Sequence, residues 1–401
     1  MPVTDFAPWP VYDDELLAEA DRVLRSGKLN YWCGDEGRRF EQEFAEYVNC
    51  RYGVAVANGT VALELALLSL GIGPGDEVIV PSRTFIATAS SVVRCGATPM
   101  FADVDSVSQT ITADAIRQQL TPRTAAVIVV HLAGWPCDMD PILELARSRR
   151  LSVIEDCAQA HGARYKGRVV GSIGDIGAYS FCQDKIMTTA GEGGMLVTSR
   201  RDVWQHAWSL KDHGKDFEAA HQPHSTASFR WLHNRIGTNG RMTELQAAIG
   251  RVALRKLDGW IDKRRRNAVI LTEHFARLPA LRTTVPPEDI FHSYYKYYAF
   301  VRRERLRAGW DRDGILAAIQ QAGVPCFSGS CSEVYLERAF EAIGRPTQRL
   351  YVARELGETS LMFLVHPTLS TDHMLAAGRH VAEVMEQATE RQEAALSTVA
   401  A

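Results

Sequence analysis

Between residues 52 and 155 the chain alternates between short apolar runs and helical segments, an order that few folds accommodate. The run Ala125–His131 is almost wholly apolar, which is typical of a strand buried on both faces. Strands separated by helices in this way predict a mostly parallel sheet between two layers of helices, an α/β fold. The predicted strands cover residues 52–57, 77–80, 98–104, 125–131 and 151–155.

The second half of the chain lacks this regular order. Residues 212–235 are rich in His, Ser and Gly without clear periodicity, so we predict a long surface loop there. Residues 243–267 have the pattern of one long helix, and a mixture of helices and short strands follows. We therefore expect a large domain over residues 1–260, with helices at its N-terminus, and a smaller α+β domain over residues 261–401.

Charge and cysteine usage exclude several classes of protein. With 45 basic and 48 acidic residues, the formal net charge is −3, which does not indicate a protein that binds nucleic acid or a membrane surface. The eight cysteines form no CxxC pair and match no zinc pattern, so we predict reduced thiols and no metal site. The N-terminal residues lack a signal-peptide pattern and no apolar run could span a bilayer, so we expect a cytoplasmic protein.

Lys185 is the first residue whose surroundings indicate chemistry. It follows the strand-like run 178–184 and precedes the glycine-rich turn Gly191–Gly194. In a phosphate-binding P-loop the lysine follows the glycines, so this is a different motif. Most lysines are solvated surface charges. A lysine between a buried strand and a turn, however, can be desolvated, and its neutral amine can then attack a carbonyl.

Asp156 ends the predicted strand 151–155, at the edge of the sheet where ligands bind in open α/β folds. An acidic residue there can cap a helix or bind a metal. With a candidate Schiff-base lysine 29 residues later, a third role arises. Pyridoxal phosphate (PLP) is an electron sink only while its ring nitrogen is protonated, and a buried carboxylate enforces that state.

Phosphate and ring contacts have candidates as well. Gly59 and Thr60 lie between a strand and a helix, where free N–H groups can bind an anion, although an ordinary helix cap has the same pattern. Ser180 supplies a second hydroxyl close to Lys185. Phe85 follows a strand end and could stack on an aromatic cofactor, although such a residue is more often part of the core.

These pieces belong to a series of motifs that occur in a fixed order. With this series the chain resembles the DegT/DnrJ/EryC1/StrS family of sugar aminotransferases, from about residue 30 to about residue 249, with weaker similarity beyond. The motifs are Asn58-Gly59-Thr60, the turn at 73–78, Glu155–Gly162, Ser180-Phe181 with Lys185, Gly191–Gly194 and the stretch 239–248.

The resemblance implies a fold-type I PLP enzyme that is a homodimer with active sites at the subunit interface. By matching position, Lys185 would form the Schiff base with PLP, and Asp156 would pair with the ring nitrogen. The other implied contacts are Gln159 near the ring, Gly59, Thr60 and Ser180 at the phosphate, Phe85 stacked on the ring, and Asn239 lent to the phosphate by the partner subunit.

The lysine itself indicates which reaction to expect. Some relatives carry histidine at the position of Lys185 and dehydrate their substrate, so lysine favours transamination. The resemblance implies a ping-pong cycle, in which L-glutamate supplies the amino group and a keto-sugar nucleotide accepts it. Lys185 would carry the proton between carbon atoms. The product would be an amino-sugar nucleotide for polysaccharide or glycoconjugate biosynthesis, such as that of lipopolysaccharide.

Other functions remain open at this point. A sugar dehydratase or another relative of the same fold would share these motifs, and so would a non-catalytic PLP-binding regulatory protein. A dehydrogenase of the Rossmann type would need GxGxxG at the start of a helix, whereas the glycines at 71–75 lead into a strand.

Two parts of the substrate site are also open. Arg83 and the run Cys182-Gln183-Asp184 depart from the family pattern, and we expect both to line the mouth of the site. Candidates for the glutamate carboxylate are Arg230, Arg235 and Arg241.

Overall fold

A seven-stranded sheet forms the centre of the computed structural model, which describes residues 6–222 and 229–390. Its strand order is β1-β9-β8-β5-β4-β2-β3, and a hairpin of the short strands β6 and β7 lies outside it. The first nine strands are β1 (Tyr52–Val56), β2 (Glu77–Pro81), β3 (Thr98–Ala102), β4 (Thr124–Val130), β5 (Ser152–Asp156), β6 (Arg164–Tyr165), β7 (Arg168–Val169), β8 (Ile176–Ser180) and β9 (Gly194–Thr198).

The predicted α/β fold is confirmed. Strands β3, β2, β4, β5 and β8 run parallel, and β9 is antiparallel to both β8 and β1. The residues of β2 and β8 are all buried, and so are residues 126–131 of the apolar run that was predicted as a strand.

Helices cover both faces of this sheet, and several begin at a polar cap. The side chain of Asn58 accepts a hydrogen bond from the N–H of Val61 at 3.0 Å and so begins α3. The first eight helices are α1 (Asp14–Ser26), α2 (Glu36–Tyr47), α3 (Gly59–Ser69), α4 (Ala87–Arg94), α5 (Ala113–Gln119), α6 (Met139–Arg149), α7 (Arg201–Lys211) and α8 (Phe217–His221).

A long helix, α9 (Glu244–Phe275), leads into the C-terminal part. That part contains a four-stranded antiparallel sheet in the order β10-β12-β14-β13, packed against helices, while β11 pairs with β6. Its elements are β10 (Leu281–Thr283), β11 (Ile290–Phe291), β12 (Tyr297–Val301), α10 (Arg312–Gln321), β13 (Cys326–Phe327), α11 (Tyr351–Thr359), β14 (Ser360–Phe363) and α12 (Thr371–Ala388).

Helix α9 departs from the prediction in its length. The predicted helix ends at residue 267, whereas α9 continues to Phe275. Its N-terminal half packs into the core of the large sheet, and its C-terminal half packs into the core of the small sheet through Ala268, Leu271 and Phe275. The predicted domain boundary at residues 260 and 261 therefore lies inside one continuous helix.

The predicted loop over residues 212–235 is partly helical. Helix α8 lies within it, where Phe217 packs edge-on against Trp208 of α7 with ring centroids 4.8 Å apart. Residues 223–228 of this stretch lie outside the described part of the chain. No helix among the described residues is both long and apolar enough to cross a membrane.

Candidate active site

A cavity of about 1050 Å³ lies at the carboxyl ends of β5 and β8, between the large sheet and the small one. Parallel sheets bind ligands at this edge, because the strand ends and the following loops converge there. Seven of the eight residues proposed from sequence line the cavity, namely Gly59, Thr60, Phe85, Asp156, Gln159, Ser180 and Lys185.

One end of the cavity is formed by the beginning of α3 and the end of β8. A Cβ atom on Gly59 would lie 2.7 Å from the Cβ atom of Ser180, so only glycine fits between these two elements. The first N–H groups of α3 thus lie beside the hydroxyls of Thr60 and Ser180, both in the cavity lining. This combination of helix N-terminus and hydroxyls suits a phosphate.

Asp156, the last residue of β5, is buried in the cavity wall. Its carboxylate accepts hydrogen bonds from the Thr88 hydroxyl at 2.8 Å and from the Ala158 N–H at 3.1 Å. Burial raises the pKa of Asp156, and these hydrogen bonds offset that rise only in part. No ion pair joins this carboxylate to a cation in the described parts of the chain, so a protonated ring nitrogen would suit it.

Lys185 lies in the loop that follows β8, because the strand ends at Ser180 and not at the lysine as the sequence predicted. The Lys185 Nζ lies 3.3 Å from a carboxylate oxygen of Asp184 and 3.4 Å from the hydroxyl of Tyr295. The Trp9 indole donates a hydrogen bond to the Lys185 carbonyl oxygen at 2.8 Å. Both the amine and the backbone of Lys185 are therefore held by neighbouring side chains.

Asp184 and Tyr295 form one unit beside the lysine, because the Tyr295 hydroxyl donates a hydrogen bond to the Asp184 carboxylate. Burial alone would raise the pKa of Asp184, but the Lys185 ammonium and the hydrogen bond from Tyr295 outweigh it and lower the pKa. Burial, together with the negative charge of Asp184, raises the pKa of Tyr295 well above its ordinary value. Asp184 is thus an anion and Tyr295 a neutral donor.

Behind Asp156 lies a buried cluster of His131, Glu155 and Cys157, whose ligand atoms are within 4.8 Å of one another. The Glu155 carboxylate accepts hydrogen bonds from three N–H groups at 171–174 and lies 2.9 Å from the His131 Nε2. The other ring nitrogen of His131 accepts from the Cys137 N–H at 3.0 Å. With these lone pairs occupied, the cluster anchors the 171–174 turn behind the site.

Two predicted residues lie elsewhere. Asn239 is exposed outside the cavity, in the segment before α9, where its backbone pairs with that of Asp212. Arg83 was expected at the mouth of the site, and this prediction was wrong. Its guanidinium is fully buried and donates hydrogen bonds to Gln109, Ser332 and Ser360. Asp184 does line the cavity, as predicted.

Some cavity residues were missed from sequence. Thr88 lies in α4, and no local motif in the sequence marks it. The segment that leads into β12 supplies Tyr295 and Lys296, and β12 itself supplies Tyr298. The tyrosine-rich run at 294–298 was the available signal for them. Nothing in the sequence indicates that Trp9 reaches Lys185, 176 residues later.

The sequence profile described as the DegT/DnrJ/EryC1/StrS aminotransferase family matches residues 10–383. The chain belongs to this family. The match extends beyond the predicted stretch at both ends, and it covers the small sheet as well as the large one. As predicted, the protein is therefore an aminotransferase that uses PLP.

Curated members of the family and solved structures resemble this aminotransferase over most of its length. GDP-perosamine synthase of Escherichia coli O157:H7 is 40% identical over 305 residues, covering 74% of this chain and 80% of that protein. The dTDP-3-amino-3,4,6-trideoxy-alpha-D-glucose transaminase of Streptomyces venezuelae is 36% identical, covering 94% and 95%. An aminotransferase structure from Psychrobacter cryohalolentis has a TM-score of 0.94 at 51% identity, covering 96% of this chain and 99% of that one.

The cavity of this aminotransferase fits PLP on structural grounds. The amine of Lys185 can react with the aldehyde of PLP. Asp156 is a buried carboxylate without a cationic partner in the described structure, and the helix N-terminus at Gly59 suits the phosphate. When bound there, PLP supplies an electron sink for the carbon that gains or loses the amino group.

Proposed function

We propose that this aminotransferase moves the amino group of L-glutamate to a keto-sugar carried on a nucleotide, in a ping-pong cycle. The observation that carries the proposal is that Lys185 and Asp156 line a single cavity of about 1050 Å³. Drug-sized ligands occupy roughly 300–1000 Å³, so this cavity has room for a nucleotide sugar beside the cofactor. Two relatives, a GDP-perosamine synthase and a dTDP-amino-sugar transaminase, support that substrate class.

Each lining residue has a role in this proposal. Lys185 would hold the cofactor and, with its amine free, would move a proton between carbon atoms, and Asp184 and Tyr295 hold that amine. Asp156 would keep the ring nitrogen of the cofactor protonated. Gln159 would contact the ring, and its side-chain oxygen is fixed by the Ala133 N–H at 2.9 Å. The remaining contacts are Gly59, Thr60 and Ser180 to the phosphate, and Phe85, which is 66% exposed and free to stack on the ring.

The proposed assembly is a homodimer with shared active sites. Asn239 lies outside the cavity of its own chain, in an exposed segment, and is proposed to reach the phosphate in the partner subunit. In the same segment Trp231 is 89% exposed and Ile236 is 94% exposed, and a second subunit would cover these two side chains. Such a dimer would complete two sites at once.

The experiment that tests this function begins without any sugar. The purified protein, loaded with PLP, is expected to show the visible band of lysine-bound cofactor, and L-glutamate is expected to bleach it with release of 2-oxoglutarate. A keto-sugar nucleotide should then restore the band and appear as its amino derivative by mass spectrometry. Lys185→Ala should show neither band nor turnover, because it lacks the amine that bonds to PLP and that moves the proton.

Two results would contradict the proposal in different ways. A band that ignores glutamate but responds to a sugar nucleotide with loss of water would indicate a dehydratase. A band that responds to neither substrate would indicate a non-catalytic PLP-binding protein.

A further inference from the structure

The cavity contains a second amine that the proposed cycle does not use. Its basic lining residues are Arg94, Lys185 and Lys296. Arg94 forms an ion pair with Glu64, and Lys185 is the cofactor lysine. Lys296 forms neither a hydrogen bond nor an ion pair with any residue in the described ranges 6–222 and 229–390, so its ammonium is available to a ligand.

Lys296 lies close to the place where the amino group is transferred. Its Nζ is 4.7 Å from the centre of the Tyr295 ring, and the Lys185 Nζ is 5.1 Å from the same centre. The two amines are therefore within about 10 Å of each other. Consider an amino acid whose nitrogen occupies the position of the Lys185 amine. At roughly 1.5 Å per bond, its carboxylates lie less than about 10 Å from that nitrogen, so one of them can reach Lys296.

The charged groups around Lys296 leave its positive charge without a dedicated partner. Asp184 is the anion that faces it, but that carboxylate already binds Tyr295 and Lys185. The other groups around it are Arg264 of α9, which adds positive charge, and His366. Burial gives His366 a pKa of about 3, so this ring is neutral at physiological pH.

The desolvated surroundings of Lys296 also change its titration. Burial lowers its pKa to about 8, Asp184 opposes that effect, and the charges of Arg264 and Lys185 add to it. An anion bound at this amine would replace the missing counter-ion, and a charge-assisted hydrogen bond is strongest where water is excluded.

We infer that Lys296 binds a carboxylate of the amino donor, and so selects an α-amino acid anion. This inference rests on the proposed glutamate-dependent function and names the contact that the donor makes. The three arginines considered from sequence do not line this cavity, and Arg241 is bound to Asp212. The diphosphate of a nucleotide sugar is the competing ligand, since it lies a similar number of bonds from the carbon that reacts beside Lys185, and the two half-reactions are therefore measured separately.

The test compares variants of the PLP-loaded protein in binding and in each half-reaction. Glutarate, a dicarboxylate that has no amino group to transfer, reports binding alone by calorimetry. In Lys296→Met we expect the dissociation constant of glutarate and the KM for glutamate to rise about 10- to 100-fold, since one charge-assisted hydrogen bond is lost. The dissociation constant of PLP and the half-reaction with the keto-sugar nucleotide should change less than about threefold.

Two control variants accompany this substitution. Lys296→Arg keeps the positive charge and should bind glutarate within a few-fold of the wild type. Lys166→Met removes a lysine that also lies over a tyrosine ring, 5.1 Å from the centre of Tyr165, but outside the cavity. It should leave glutarate binding unchanged, which separates the loss of this particular charge from the loss of any lysine.

Binding should also depend on pH in a direction fixed by the charge. The ammonium form binds the carboxylate, so glutarate affinity should be constant between about pH 6 and about pH 7, where both glutarate carboxylates are ionised, and fall about tenfold per unit above the pKa of about 8. Lys296→Arg should remove this decline, because arginine stays protonated. This measurement remains decisive even if Lys296→Met fails to fold.

Three outcomes would overturn the inference. The first is unchanged glutarate binding in Lys296→Met, and the second is equal weakening by Lys166→Met. The third is a defect confined to the sugar-nucleotide half-reaction, which would assign Lys296 to the diphosphate. Failure of the wild-type protein to react with glutamate is a separate result, which would reject the proposed function, whereas glutarate binding would still report on Lys296.

Discussion

At the scale of single residues, the cavity brings together charges that the protein leaves unneutralised. Asp156 is a buried carboxylate with a raised pKa, and it forms no ion pair within the described structure. A buried charge without a partner is costly, so the surroundings favour a ligand that supplies the opposite charge. The ring nitrogen of the cofactor would meet that requirement at Asp156, as a donor carboxylate would at Lys296.

Asp156→Asn should separate cofactor binding from chemistry. Asparagine keeps the size of the side chain, its single carbonyl oxygen can still accept from the Ala158 N–H, and its amide N–H can donate to the Thr88 hydroxyl, so we expect the visible PLP band to form. Loss of a buried charge partner costs about 3–5 kcal/mol, and the glutamate half-reaction should slow by at least about 100-fold. Stopped-flow absorbance in a single turnover measures this rate, and a variant with wild-type speed would refute the role of Asp156.

At the scale of secondary-structure elements, Arg83 joins the two sheets. It follows β2, and its guanidinium donates to Ser332 at 2.7 Å and to Ser360 of β14 at 3.3 Å. It also lies over the ring of Tyr298 in β12, with its central carbon 5.5 Å from the ring centre. Burial lowers the pKa of Arg83, which has no ion pair in the described structure. Its planar, weakly hydrated head group suits such a site better than a lysine ammonium.

Arg83→Lys should therefore weaken the contact between the sheets. A single ammonium cannot donate along three separate directions from a fixed plane, so we expect a loss of about 2–4 kcal/mol in the free energy of unfolding. Denaturant unfolding of the PLP-loaded protein measures this loss. Arg302→Lys is the matched control, since Arg302 is exposed and donates only to the Pro279 carbonyl, and its change should stay within about 0.5 kcal/mol.

Helix α9 shows why the length of an element is harder to predict than its presence. Its start was predicted to within a residue, because Thr243 and Gln246 form a capping box, which is a local sequence signal. Its end was predicted too early, at residue 267. The last two turns are stabilised by the packing of Leu271 and Phe275 into the small-sheet core, and that contact lies outside the helix itself.

At the scale of the whole molecule, the proposed dimer depends on the exposed segment before α9. Phe229 and Trp231 contact each other with ring centroids 5.3 Å apart, yet both remain largely exposed in the single chain. Ile236, which is 94% exposed, belongs to the same segment and precedes Asn239 by three residues. A second copy of the chain that covered these side chains would also bring Asn239 to its proposed position.

Trp231→Ser should weaken the dimer and the activity together. A buried interface tryptophan commonly contributes 2 kcal/mol or more, so the dissociation constant of the dimer should rise about 30-fold or more. Sedimentation velocity over a range of protein concentrations measures it, and specific activity should fall as the monomer fraction grows. Tyr351→Ser, which removes an aromatic residue that is 77% exposed on α11, is expected to leave the dimer intact. An unaltered dimer in Trp231→Ser would contradict the proposed interface.

The sequence alone determined most of the parallel part of the large sheet, the family and most of the candidate residues that line the cavity. Buried parallel strands leave continuous apolar runs, and Gly59, Asp156, Ser180 and Lys185 stand at fixed places in local motifs next to strand ends. A strand end brings its residues to one edge of the sheet whatever the remaining chain does. For this reason seven of the eight predicted site residues line one cavity.

The tertiary structure decided what surrounds the reacting amine. Tyr295 lies 110 residues after Lys185, and Trp9 lies 176 residues before it, so no local pattern relates them to the lysine. The residues around Arg83 have a sequence typical of a surface loop, and the packing of the small sheet buries the Arg83 side chain. Lys296 likewise gains its lowered pKa from burial among distant charges. Desolvation and long-range contacts depend on how the two sheets meet, which local sequence patterns do not specify.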